Sequence, residues 1–186
     1  MGSRLVFVGE VKQLYAKTNL DVAKTSLLKM LNEAEAKRVD NDDNQFISRC
    51  DYHLAEDFTR PWVQAVLPGL KPELLDLAKS ICFEGYELRA IWFQQYNQNS
   101  GHAWHTHGCN YTGVFYVDFP DETPATEYID GKDYTRKKFN VKEHDLLIFP
   151  STLVHSAPVN KSSLTKTIIS FNINLNFHPK DLKKKW

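Results

Sequence analysis

Residues 166–177 constrain the fold of this chain more tightly than its composition does. The odd positions from 167 onward are Thr167, Ile169, Phe171, Ile173, Leu175 and Phe177. The even ones are Ile168, Ser170, Asn172, Asn174 and Asn176, preceded by Lys166. Successive side chains of a β-strand point to opposite faces, so this segment carries one apolar face and one mostly polar face. That is the pattern of a strand with a dry core on one side and a wet cavity on the other. A lysine at the head of the polar face is then aimed into that cavity.

The rest of the second half fits such a strand. From Glu87 onward, short runs rich in β-branched and aromatic residues alternate with turn residues. They predict strands at 88–96, 103–107, 111–117 and 145–149, an edge strand at 134–141, and a turn at 119–124. The first half reads differently. A strand at 4–9 is followed by a helix at 26–38, with apolar positions at 27, 28 and 31, and by a polar loop at 40–44. Residues 45–68 hold no clear period and are interrupted by two prolines. A second helix is expected at 71–82, with Pro72 in its first turn and Gly85 ending it. Helices before strands imply an α+β domain: an antiparallel barrel or sandwich braced by N-terminal helices. The 186 residues suffice for one domain with a substantial core, helical support spanning about 1–86 and the barrel about 87–178.

Charge narrows the function. Lys plus Arg equals Asp plus Glu at 23 each, which argues against a broad nucleic-acid surface. The basic tail at 180–186 reads as a solvated end. Three widely spaced cysteines, Cys50, Cys82 and Cys109, form no disulfide framework and suit a reducing, cytoplasmic setting. The longest apolar runs are about half a membrane span, and no signal-peptide pattern opens the chain, so a soluble protein is expected.

The chemistry gathers in Gly101-His-Ala-Trp-His-Thr-His-Gly108. On a strand, His105 and His107 share a face about 7 Å apart, whereas His102 has the opposite parity. Two imidazoles so placed close on one cation if a third ligand arrives from a neighbouring strand. His155, just beyond the apolar strand 145–149, is the candidate. A close histidine pair plus a distant histidine builds an open, three-ligand metal site. His53, His144 and His178 read as surface or core histidines, and Cys109 has no assigned part. The aromatics Trp92, Phe93, Phe115 and Phe171 read as core, while Trp104 is retained as a pocket wall.

The order of these parts resembles the double-stranded β-helix, a jelly-roll or cupin-like barrel, of the iron(II)/2-oxoglutarate-dependent oxygenases. The likeness is nearest to phage and bacterial prolyl-hydroxylase-like members. It covers roughly residues 88–177: His105-Thr-His107, the Thr-Gly-Val-Phe-Tyr-Val strand, the Phe149-Pro-Ser turn leading to His155, and a basic residue eleven positions on. The resemblance implies that His105, His107 and His155 hold iron(II), and that Lys166 pairs with the far carboxylate of 2-oxoglutarate. Tyr116 would donate to the same carboxylate, and Tyr96 would stand at the end of the strand leading into the site. Dioxygen would be the other cosubstrate, and the reaction would be hydroxylation with decarboxylation to succinate.

The sequence departs from the family at two places. His107 stands where many members have a carboxylate, and Lys166 where close relatives have arginine. Two other functions fit the same histidines: a cupin-like three-histidine metalloenzyme that does not use 2-oxoglutarate, and a non-catalytic metal-binding barrel. The prime substrate, whether a protein side chain or a small molecule, does not follow from the sequence.

Overall fold

The computed structural model describes residues 23–41, 44–81 and 83–176, together with the backbone of two strands at 4–8 and 11–17. Twelve strands among the described residues form two antiparallel sheets. The larger contains β1 (Arg4–Val8), β2 (Val11–Lys17), β3 (Lys37–Asp40), β4 (Phe46–Cys50), β5 (Gly85–Tyr96), β7 (Tyr111–Asp118), β10 (Asp145–Pro150) and β12 (Lys166–Asn176). Its spatial order is β1-β2-β10-β7-β12-β5-β4-β3. The smaller sheet, in the order β6-β11-β8-β9, is made from β6 (His102–His105), β8 (Glu127–Ile129), β9 (Arg136–Lys138) and β11 (His155–Ala157). Two helices, α1 (Lys24–Glu33) and α2 (Pro61–Ser80), cover the outer face of the larger sheet.

Parity divides the core in two. On β5, β7 and β12 the odd residues Phe93, Phe115, Ile169 and Phe171 pack with the helices, as do Leu146 and Ile148 of β10. The intervening residues Trp92, Val114, Tyr116, Leu147 and Ile168 face the smaller sheet. β12 therefore does what its alternation predicts, and the polar face looks into the space between the sheets. Its long pairing with β5, from Lys166↔Tyr96 to Asn176↔Gly85, sets that face opposite Gln94 and Trp92. Gly113 is required where β7 crosses β12. A Cβ there would lie 2.1 Å from the ring of Phe171, its cross-strand partner, and the ring has no room to move in a close-packed core.

The first half departs from expectation at several points. α1 stops at Glu33, because Lys37 and Arg38 enter β3. α2 begins ten residues earlier than the sequence suggests, with Pro61 at its first position, and it contains Pro68 and Pro72 in its interior. An interior proline costs a helix about 3 kcal/mol. Trp62, Val63, Val66, Leu70, Leu74 and Leu77 recur at helical spacing and are all buried against the sheet. Each such side chain contributes about 1.5–3 kcal/mol, so tertiary burial outweighs the local penalty. Gly85 does not end this helix; the helix stops at Ser80, and Gly85 opens β5. The aperiodic stretch 45–68 contains β4, an edge-side strand too short to show alternation. The expected edge strand at 134–141 shortens to β9, and Cys82, His178 and the basic tail lie outside the described residues. No helix among the described residues is long and apolar enough to cross a membrane.

Candidate metal centre and the cavity around it

The smaller sheet brings the histidines together. β11 pairs with β6 so that His155 lies directly opposite His105. His107 is not on the strand. It sits two residues past the end of β6, in a loop fixed by its backbone N–H donating to the Ser151 carbonyl at 3.0 Å. Each of the three offers a ring nitrogen, and these atoms lie within 4.8 Å of one another. The Nε2 atoms of His107 and His155 are 3.3 Å apart.

The tautomers follow from the other ring nitrogens. His105 Nδ1 faces the Ala103 carbonyl at 2.7 Å, and His155 Nδ1 faces the Leu153 carbonyl at 2.8 Å. A carbonyl only accepts, so each Nδ1 carries the proton and each Nε2 turns a lone pair inward. Burial pushes the His107 pKa down to about 4, with the neighbouring His105 adding to the effect. His155 lies well below the usual range, again mainly by burial, and His105 is lowered by burial despite its carbonyl partner. All three are neutral at pH 7. Three convergent neutral imidazoles, two of them with Nδ1 bonded to a backbone carbonyl, form a donor set for a divalent cation, and a cation suits the facing nitrogens of His107 and His155.

His102 overturns the parity argument. Alternation places it away from the cavity, yet it lines the same space as the other three histidines, and its ring stacks on His105 at 3.9 Å. The cause is a bulge. The pairings His155↔His105 and Ala157↔His102 leave one more residue on β6 than on β11. An inserted residue resets the alternation, and nothing in the sequence announces it. Burial and the adjacent histidines lower its pKa to about 3.

Behind the histidines, a narrow cavity of about 30 Å³ runs between the sheets, past Gln94, Thr112, Ser170 and Ile168 to Tyr96 and Thr126. Ser170 Oγ donates to Gln94 Oε1 at 2.9 Å, which fixes the amide. Lys166 and Tyr116 close the far end one layer behind that wall. Lys166 is 1 % exposed, lies 4.7 Å from the centre of the Tyr96 ring, and donates to the Pro124 carbonyl at 2.8 Å. It has no acidic partner among the described residues, and burial lowers its pKa to about 7. The Tyr116 hydroxyl, also buried, donates to Thr126 Oγ1 at 2.8 Å.

On the other side of the histidines, a second cavity of about 270 Å³ shares Trp92, Gln94, His102, His105 and His107 with the first. β3 and β4 supply its far wall through Val39 and Ile47. Trp104 lines neither cavity; the Arg136 guanidinium lies 5.4 Å over its ring. Trp92, expected only as core, lines both cavities, because it shares the inward parity of Gln94 and Tyr96 on β5. Phe93, Phe115 and Phe171 are buried on the helix side as expected. His53 pairs with Glu35 and His144 is half exposed, each away from the centre. Cys50 is buried in the outer wall with its thiol pushed up to about 12, and Cys109 donates to the Tyr111 carbonyl.

No family model and no curated protein sequence matches the chain. Its fold, by contrast, is shared with many solved structures. An oxidoreductase of the 2OG-Fe(II) oxygenase family from Burkholderia pseudomallei superposes with a TM-score of 0.68 at 8% identity, over 87% of this chain and 84% of that one. HygX from Streptomyces hygroscopicus, solved with nickel, 2-oxoglutarate and hygromycin B, gives 0.66 at 13% identity over 87% and 82%. SnoK, a non-heme alpha ketoglutarate dependent carbocyclase from nogalamycin biosynthesis, gives 0.63 at 11% over 88% and 79%. The chain therefore has the α+β, double-stranded β-helix fold of the 2OG-Fe(II) oxygenase structures it resembles.

Proposed function

We propose that this protein is an iron(II)/2-oxoglutarate-dependent oxygenase that hydroxylates an unactivated C–H bond. One observation carries the reading: a single cavity has three convergent neutral imidazoles at one end and, behind the wall of the other, a buried lysine with no acidic partner among the described residues. A cation site and an anion site at opposite ends of one space suit a ligand that chelates at its head and ends in a carboxylate. The solved structures of the same fold include HygX with 2-oxoglutarate bound and the epimerase SnoN with Fe3+ and alpha ketoglutarate, which supports the same conclusion.

In this reading His105, His107 and His155 hold the iron. Three neutral ligands leave the centre one unit more positive than two histidines and a carboxylate, which favours a dianionic partner. Lys166 exchanges its contact with the Pro124 carbonyl for the far carboxylate. Tyr116 gives up its bond to Thr126 to donate to that carboxylate, and Tyr96 walls the space beneath it. Gln94, fixed by Ser170, presents its amide between the two cavities. When bound, iron(II), 2-oxoglutarate and dioxygen together supply the oxidising power, with release of succinate and carbon dioxide. The remaining task of the chain is to orient these groups and keep water from them.

Anaerobic addition of iron(II) and 2-oxoglutarate to the chain should produce a weak metal-to-ligand charge-transfer band in the visible. Calorimetry that finds iron(II) bound but no 2-oxoglutarate, with no such band, overturns the reading in favour of a three-histidine site that works without this cosubstrate.

A further inference from the structure

We propose that the outer cavity admits the prime substrate as an uncharged, ring-bearing molecule, and that it excludes carboxylate, phosphate and ammonium groups. This rests on the oxygenase reading, since a reactive centre at the cavity's floor is what makes an occupant a substrate.

The wall chemistry carries the inference. Its volume of about 270 Å³ suits a small molecule. Val39 and Ile47, which oppose each other across the β3–β4 pair, form one apolar side. Tyr52 and Trp92 form the other, set edge to face with ring centres 5.0 Å apart at 84°. Such a corner offers both a ring face and a ring edge to a flat ligand. Among the described residues, no Asp, Glu, Lys or Arg lines the cavity.

The charges that flank Val39 on β3 are already engaged. Arg38 lies 3.7 Å over the Phe46 ring and donates to Asp40 at 2.8 Å. The polar groups that do reach the space include the Gln94 amide and the Thr106 hydroxyl, which suit a hydroxyl or carbonyl rather than an ion. An ionic group entering here would lose its water and gain no partner.

The test uses matched probes on one skeleton: 2-naphthalenemethanol, 2-naphthoate and 2-naphthylmethylammonium, with the corresponding anthracene series. Binding is read by saturation-transfer NMR on the full chain, both metal-free and loaded with zinc and 2-oxoglutarate. The alcohols should bind, and both ionic series should bind about tenfold more weakly or worse. Val39→Glu should shift the preference toward the ammonium probes, a gain that misfolding cannot produce. Tyr52→Ala, at an exposed side chain, should weaken every alcohol. Carboxylates or ammoniums binding as tightly as the alcohols, or no alcohol binding at all, would overturn the proposal. Because the probes are read without turnover and without metal, this result is independent of the calorimetric test of the oxygenase reading.

Discussion

Two buried cations sit on opposite sides of the larger sheet, and the chain treats them differently. Arg60 is enclosed by its own fold: it pairs with Asp51 and donates to the carbonyls of Ile91 at 2.6 Å and Asp57 at 2.7 Å. Asp51 in turn accepts the Trp62 indole N–H at 3.0 Å and the Phe93 backbone N–H at 2.8 Å. This network ties the start of α2 to β5 and draws every partner from the chain. Lys166, equally buried, has one carbonyl. Burying an ion is costly unless its hydrogen bonds are satisfied, so the two cations serve different purposes. Arg60 is satisfied by the native structure alone, whereas Lys166, in the function proposed above, is left for an anionic ligand.

The contrast can be broken at several points. The largest effect is expected from His155→Ala, which should abolish stoichiometric binding of iron(II) or manganese(II) by calorimetry; retained binding would dissociate the histidines from the cavity's function. Next come the cations. Lys166→Met should weaken 2-oxoglutarate binding by about a hundredfold or more, while raising the melting temperature of the ligand-free chain. Asp51→Ala, by contrast, should cost about 3–5 kcal/mol of stability in denaturant titration, because it strands Arg60. If Lys166→Met unfolds the protein instead, the lysine is structural and the distinction fails. Tyr116→Phe removes one bond to a charged acceptor, worth about 1.5–3 kcal/mol. It should weaken 2-oxoglutarate binding by roughly ten- to a hundredfold.

A further effect, spread over several pH units, is a pH dependence. Lys166 is lowered from its ordinary 10.5 to about 7 in the ligand-free fold. Between those values the unfolded chain holds a proton that the folded chain lacks, so stability should rise with pH across that window. Below about 7 both states carry the proton, and the full cost of burying the cation is present. The slope should vanish in Lys166→Met, and thermal melts of the two proteins at several pH values would reveal it.

Much of this was legible in the sequence because it depends on period two. The alternation of residues 166–177 identifies both the strand and the face that looks into the cavity; His105 and His107 are marked by their spacing, and His155 by its place just beyond the apolar strand 145–149. What stayed hidden depends on events that leave no periodic trace. The bulge that brings His102 onto His105 is one inserted residue with no distinctive chemistry. α2 was hidden by its own prolines, whose local penalty only tertiary burial outweighs. β4 and the outer wall it builds were hidden because five residues are too few to show alternation. Trp92 and Trp104 exchanged roles for a related reason: aromatic character does not say which side of a strand faces a cavity.

The position of His107 just beyond the end of β6 has a consequence for the outer cavity. Two of the histidines are mounted on paired strands, but His107 belongs to a loop, and Thr106 beside it forms part of the outer wall. A cation gripped by all three would clasp that loop to the sheet and set Thr106 in place at the same moment. The metal would then tighten a doorway that already stands, and the uncharged probes should bind the zinc-loaded chain more firmly than the metal-free one.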